Sequence, residues 1–273
     1  RPHHPGRRPP PPRRGAPPDP AAGPAAGTWT DAYTRSAEFL DLFLRPAWEW
    51  CGPALQRALE PVAALDGAAL DLGAGSGAGL PWIARALPGH PITAVEPSPV
   101  LRAVLLARAG ADADLRVRTT VVDAAFPDLA LPAPLAALVV GNALGHFDDA
   151  LRARLWRAAS AALVPGGRLV CDVSPLERAA AVPEAVLGEA VVGRRRYCAR
   201  GRAQPVGARR LRWSMTYRVE DAHDAHLLDR RGVEYDWHVV GTARATREAG
   251  EHGLVPAARQ DVPGMLVLTR PAP

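Results

Sequence analysis

The spacing of apolar and polar residues divides this 273-residue chain into five stretches. Residues 1–27 offer almost nothing to bury. Pro, Arg, Gly and Ala dominate there, a composition expected to be disordered or polyproline-like. Residues 28–66 have helical spacing and read as an N-terminal helical cap. Ala37, Leu40, Phe43 and Leu44 form one apolar stripe, Thr30 or Asp31 is placed to cap it, and Pro46 is expected to end the helix near Arg45. A second helix is predicted over 47–65, irregular near Gly52-Pro53 and at Pro61.

Over residues 67–175 short apolar runs alternate with helical spacing. Strands are predicted near 68–73, 91–96, 115–122, 136–141 and 167–173, with helices near 80–88, 98–109 and 148–163. That order builds a parallel sheet with helices on both faces. Residues 176–240 change period. After an ambiguous stretch at 179–189, read as a helix interrupted by Pro183, residues alternate two by two. Trp213, Met215, Tyr217 and Val219 share one face, and Arg212, Ser214, Thr216 and Arg218 the other. Val233, Tyr235, Trp237 and Val239 alternate with Glu234, Asp236 and His238, and 194–200 is a third, weaker run. These runs predict an antiparallel insertion. A last helix over 242–252 and a strand over 265–269, within 241–273, would complete the edge of the main sheet.

The first strand carries the most chemistry. Ala69-Leu70-Asp71-Leu72 opens directly into Gly73-Ala74-Gly75-Ser76-Gly77, and a helical segment follows. Strand, tight turn and helix in this order hold nucleotide-like ligands in α/β proteins. Read on to Ala78, the turn also fits G-x-G-x-x-A, a dinucleotide fingerprint, so a nicotinamide-dependent oxidoreductase is one alternative. The acids argue against it. Asp71 stands two residues before Gly73, Glu96 ends the next apolar run 19 residues after Gly77, and Asp123 ends the run after that. Three carboxylates at three strand ends would repel a diphosphate. They suit a ligand with a sulfonium, an ammonium, a ribose diol and an adenine amine.

Five ordered segments extend this pattern: Asp71 to Gly77, Val95-Glu96-Pro97-Ser98, Val122-Asp123-Ala124, Leu138 to Phe147, and Leu163 to Leu169. Together they resemble the class I S-adenosylmethionine (SAM)-dependent methyltransferase family, of the small-molecule type. The resemblance implies a Rossmann-like, doubly wound α/β fold with a mostly parallel seven-stranded sheet, the antiparallel insertion serving as a substrate lid. It also implies SAM as cofactor. Gly73 and Gly75 would line its methionine part, with Asp71, Ala74 and Gly77 also among the cofactor-binding residues. Glu96, with Pro97 beside it, would bind both ribose hydroxyls. Asp123 would take the adenine N6 amine, the Ala124 amide would lie near N1, and Asn142 would adjoin the methionine part through its backbone.

The reaction implied is in-line displacement of a methyl group by O, N or C of a small molecule. His146 follows the fourth strand, near where the methyl should point, and is one catalytic candidate. Tyr33 is the other, because N-terminal helices of this family commonly fold over the cofactor. In the insertion, Trp213, Tyr217, Tyr235 and Trp237 either pack the small sheet onto the main domain or wall an apolar substrate cleft. A SAM-binding module without catalysis is a further alternative. Nucleic-acid bases are disfavoured as substrates, since Asn142-Ala143-Leu144-Gly145 lacks the Asn-Pro-Pro-Tyr pattern that stacks a flipped adenine.

Composition removes other classes. The net charge is +5, but Arg1, Arg7, Arg8, Arg13 and Arg14 stand against Asp19 alone in the tail, which therefore holds four of those five charges. The near-neutral remainder gives no electrostatic footprint for nucleic acid. No apolar run approaches the ~20 residues of a membrane span, and none follows the tail's arginine pairs as a signal peptide requires. Cys51, Cys171 and Cys198 have no paired spacing. This predicts reduced thiols, a cytoplasmic protein and no metal site.

Overall fold

Strands and helices alternate through most of the computed structural model, which describes residues 33–272. The 1–27 tail and the expected cap at Thr30 or Asp31 lie outside the described residues. In chain order come α1 (Ala37–Leu59), β1 (Ala68–Leu72), α2 (Leu80–Ala86), β2 (Ile92–Val95), α3 (Pro99–Ala111), α4 (Ala113–Arg118), β3 (Thr119–Val122), β4 (Leu135–Val140), α5 (Asp149–Ala162) and β5 (Leu163–Asp172). β6 (Val182–Val192), β7 (Arg195–Gly207), β8 (Arg210–Asp221) and β9 (Leu227–His238) follow. The chain closes with α6 (Thr242–Gly250), β10 (Val255–Pro256) and β11 (Met265–Thr269).

The main sheet has seven strands in the order β10-β11-β5-β4-β1-β2-β3. β1 to β5 are parallel, and β11 pairs antiparallel to β5. Period-two alternation sorts its side chains. Ala69, Ala137, Val139, Val170 and Val267 face α1, α2 and α3, where Leu55, Leu59, Ile83 and Leu105 meet them. Leu70, Leu72, Leu138, Val140, Leu169 and Leu268 face α5 and α6, against Leu155, Trp156, Ala245 and Ala249. Both faces are covered, so the strands read as near-continuous apolar runs.

The four-stranded antiparallel sheet, order β6-β7-β8-β9, is inserted between β5 and α6. Ala199, Met215 and Tyr217 on one face pack on Phe39, Leu40 and Phe43 of α1. Helix α1 is thus shared by the two sheets. Trp48 from α1 lies against Gly79 and Gly141, where an added Cβ would fall 3.2 and 2.9 Å from its ring. Gly52 in turn receives the indole of Trp82 from α2.

Three expectations require correction. Pro46 does not end the first helix: α1 runs through both Pro46 and Pro53 to Leu59. Each proline removes one helical hydrogen bond, but the buried stripe Cys51, Ala54, Leu55, Ala58 and Leu59 keeps the helix docked. Residues 115–122 are not all strand. Asp112 accepts hydrogen bonds from the Asp114 and Leu115 amides and starts α4, and Arg118 is tied to Asp114 and to the carbonyls of Ala84, Leu87 and His90. The 179–189 stretch is not helical: it enters β6, an outer strand of its sheet, where Pro183 is tolerated because an edge need not donate every amide. The short β10 had no signal in the sequence.

One polar cluster locks α5 to α6. Arg152 is fully buried, and its guanidinium donates to Glu248 at 2.9 and 3.0 Å, to Asp149 at 2.9 Å and to the Phe147 carbonyl at 2.7 Å. Arg244 adds bonds of 2.6 Å to both acids. Glu248→Ala leaves a buried guanidinium short of partners. It is expected to cost about 2 kcal/mol of stability, readable as a lowered midpoint in urea unfolding.

Candidate functional site

The register of the parallel strands builds the site. Leu72 aligns with Val95, and Val95 with Val122. The next residue on each strand is therefore Gly73, Glu96 and Asp123, side by side along the C-terminal edge of the sheet. Open α/β sheets bind ligands at this edge. The Gly73 and Ala74 amides both donate to the Val95 carbonyl at 2.9 Å, which holds the turn against β2. Gly75 has φ 58°, in the left-handed region, and nothing lies within 4 Å of where a Cβ would stand. Its need for glycine is conformational, and the open space is room for a ligand.

Glu96 is buried and anchors the loop. Its carboxylate accepts from the Gly75 amide (2.8 Å, Oε2) and from the Ser98 amide (2.8 Å, Oε1). The Gly75 amide is already satisfied by this carboxylate. A dinucleotide site would leave that amide for a pyrophosphate, so the geometry disfavours the oxidoreductase reading.

Asp71 is buried, 3% exposed. Burial first, and then the charge of Glu96, raise its pKa to about 7. A cation placed beside the pair would relieve both effects. Without ligand, the folded state holds a proton that the unfolded chain releases near the ordinary value of 3.8. Stability from this group is therefore present at low pH and declines as pH rises from about 4 to about 7. A cationic ligand is expected to expel that proton. Calorimetric titration at pH 6.5 in buffers of different ionisation enthalpy should record release of up to about one proton; Asp71→Asn should abolish it.

Asp123 is different, with its side chain 70% exposed. Arg102 of α3 donates to its Oδ2 at 2.8 Å and approaches Oδ1 at 2.8 Å, while also donating to the Glu96 and Pro97 carbonyls. The three acids predicted from the sequence thus lie along one edge, Asp71 beside Glu96, and Glu96 joined to Asp123 through Arg102.

The loop after β4 forms the opposite wall. Asn142 has φ 54°, strained for a residue with a side chain. Asp172, at the end of β5, stabilises that turn by accepting from the Ala143 and Leu144 amides at 3.0 and 3.1 Å. Four residues after Asn142, His146 accepts or donates a 2.6 Å hydrogen bond at Nε2 with the Tyr33 hydroxyl. Trp237 stands edge-on to the imidazole, 4.7 Å between centroids, and Tyr235 lies 6.3 Å away. Gly145 permits this approach, since a Cβ there would fall 1.9 Å from the Trp237 indole. Burial among these rings, and then the nearby His238, lower the His146 pKa to about 4. One edge of the residue stays open to solvent, and the imidazole is neutral at pH 7.

The two catalytic candidates and two of the four lid aromatics therefore meet. The other two extend the same lid face toward α1. Tyr217 is buried and stacks on Phe39 at 5.0 Å, and Trp213 sits in the same lid–helix interface, across from Tyr235. Four residues at this edge were missed from the sequence: Arg102, Asp172, Asp41 and Ser76. The Ser76 hydroxyl and the Arg108 guanidinium both donate to Asp41 Oδ1 on α1, at 2.6 and 2.7 Å. Of these, only Asp172, an acid closing a predicted strand, left a signal of the kind already in use. Among the described residues no His, Cys, Asp or Glu group could hold a metal ion, and no helix is long and apolar enough to cross a membrane.

The residues present fit SAM: paired buried carboxylates for a cation and a diol, an open glycine turn, and an exposed acid at the rim. Comparison with known proteins agrees. The methyltransferase domain family matches residues 69–167. No curated protein sequence matches the chain. Among solved structures, the chain is similar to a SAM-bound amino pentose methyltransferase of Micromonospora echinaspora, with 20% identity over 82% of this chain and 91% of that one, and a TM-score of 0.65. A sugar N-methyltransferase of a Streptoalloteichus species is 22% identical over 92% and 99%, with a TM-score of 0.66. DesVI of Streptomyces venezuelae is 15% identical over 86% and 96%, with a TM-score of 0.68. At such identities the likeness concerns the fold, and the domain match supplies the activity: residues 69–167 form a methyltransferase domain, on the class I fold of SAM-dependent methyltransferases.

Proposed function

We propose that the protein methylates the amine nitrogen of an amino sugar or a similar small secondary metabolite. The observation that carries this reading is the Tyr33–His146 contact. Two residues 113 apart in sequence meet at 2.6 Å beside the lid aromatics Tyr235 and Trp237. The acceptor class is supported by two of the similar structures, which are a methyltransferase of an amino pentose and an N-methyltransferase of a sugar.

Glu96 would hold the ribose diol of SAM, Asp123 and the Ala124 amide its adenine, and Asp71 with the Gly73–Gly77 turn its methionine part, beside Pro97 and the Asn142 backbone. When bound, SAM supplies a methyl carbon made electrophilic by its sulfonium. Tyr33, His146, Tyr235 and Trp237 orient the acceptor and exclude water. Such orientation is worth up to roughly 7–11 kcal/mol. The surroundings that keep His146 uncharged also favour an amine as its free base, with its lone pair exposed. A neutral imidazole hydrogen-bonded to a phenol can hold the amine hydrogens in place. At its open edge His146 passes the released proton to solvent. The three buried free cysteines support a reducing, cytoplasmic setting.

Paired acceptors test the reading. Purified protein is incubated with SAM and either an amino sugar or its hydroxyl analogue, and the products are weighed by mass spectrometry. Methylation of the amine alone is the expected result. Methylation of the hydroxyl analogue instead would overturn the acceptor assignment. Cofactor binding without turnover across a panel of amines would leave a non-catalytic SAM-binding module.

A further inference from the structure

We propose that Arg102 sets the purine selectivity of the cofactor site by fixing the carboxylate of Asp123 in one orientation. This rests on Asp123 receiving the adenine amine. Asp123 stands at the rim, 70% exposed, at the end of a four-residue strand. A carboxylate so exposed turns freely unless something holds it. Arg102 holds it, from the second turn of α3. Nη2 donates to Oδ2 and Nη1 lies 2.8 Å from Oδ1 as an ion pair, so the two terminal nitrogens face both oxygens end-on. The guanidinium is itself immobile, because Nη1 also donates to the carbonyls of Glu96 (2.9 Å) and Pro97 (2.7 Å), and its side chain is only 17% exposed.

The planar fork therefore ties the Asp123 carboxylate to the backbone of the residue that would bind the ribose. Lysine could not substitute. A single ammonium cannot span two carboxylate oxygens in one plane while bonding two carbonyls. Each Asp123 oxygen retains a lone pair, so the edge turned to solvent only accepts hydrogen bonds. It welcomes a 6-amino purine and repels a 6-oxo purine, whose oxygen is also an acceptor. A carboxylate released from Arg102 can swing off the 6-oxo group and relieve that repulsion. Selectivity then falls, while the ribose and methionine contacts stay in place.

The experiment compares S-adenosyl-L-homocysteine with S-inosyl-L-homocysteine, its 6-oxo analogue, by calorimetric titration of the full chain. Wild type is expected to prefer the adenosyl ligand by about 100-fold. Arg102→Met and Arg102→Lys are each expected to narrow that preference at least tenfold. Asp123→Asn should narrow it similarly, and the double variant no further. If Arg102→Met fails to fold, Arg102→Lys keeps the charge and decides the matter. Equal weakening of both ligands would make Arg102 a simple anchor of the loop and overturn the proposal. An unchanged preference in both Arg102 variants, with a narrowed one in Asp123→Asn, overturns it while the reading of Asp123 stands. An unchanged preference in Asp123→Asn overturns both.

Discussion

Glu96→Ala is expected to weaken S-adenosyl-L-homocysteine binding by about 1,000-fold, measured by calorimetry or fluorescence titration. Two hydrogen bonds from ribose hydroxyls to a charged acceptor are at stake, at about 1.5–3 kcal/mol each. The same carboxylate bridges the Gly75 and Ser98 amides at 2.8 Å, so its loss also frees the glycine turn from the start of α3. Glu96→Gln should not rescue. Its amide nitrogen would face one of those two backbone N–H groups, donor against donor. The apo protein should suffer less than its affinity does. Removing Glu96 also removes the like charge that raises Asp71, so the pH at which stability declines should move down. An apo variant unfolding like wild type yet binding normally would show that the ribose lies elsewhere.

His146→Ala is expected to lower kcat about 100-fold with a smaller change in KM for SAM. Tyr33→Phe, which removes the 2.6 Å partner and keeps the ring, should cost about tenfold. The pH profile is the sharper measurement. A His146 of ordinary pKa would place an inflection in kcat near 6.5. With its pKa lowered to about 4 by burial and by His238, kcat should stay level as pH falls through 6.5 and decline only below about 5. A wild-type inflection near 6.5 that disappears in His146→Ala would mean that the imidazole titrates normally and that its surroundings admit charge.

The cofactor edge was legible in the sequence because strand register carries it. Asp71, Glu96 and Asp123 each close or nearly close an apolar run, and parallel pairing sets such ends side by side. The pairing of His146 with Tyr33 was not legible as a contact, since it depends on where a distant helix crosses the sheet. Each was nameable only by its own position. The substrate set split for a related reason. Alternation placed Tyr217 and Tyr235 on lid faces, but only the path of α1 decides that Phe39 and Phe43 cover Tyr217 while Tyr235 is left beside His146. The proline rule misjudged α1 because a local penalty of one hydrogen bond was outweighed by packing at Leu55 and Leu59. Arg102 gave no warning, since an arginine on a helix next to an acidic strand end is ordinary until its guanidinium is seen to bond two carbonyls and a carboxylate at once.

Helix α1 touches the glycine turn through Asp41 and Ser76, the loop after β4 through Trp48 and Gly141, and the small sheet through Phe39 and Phe43. One helix therefore touches the turn, the loop and the small sheet at once. Any coupling between two guests that passes through this helix must be mutual: whatever factor one imposes on the other is returned in equal measure.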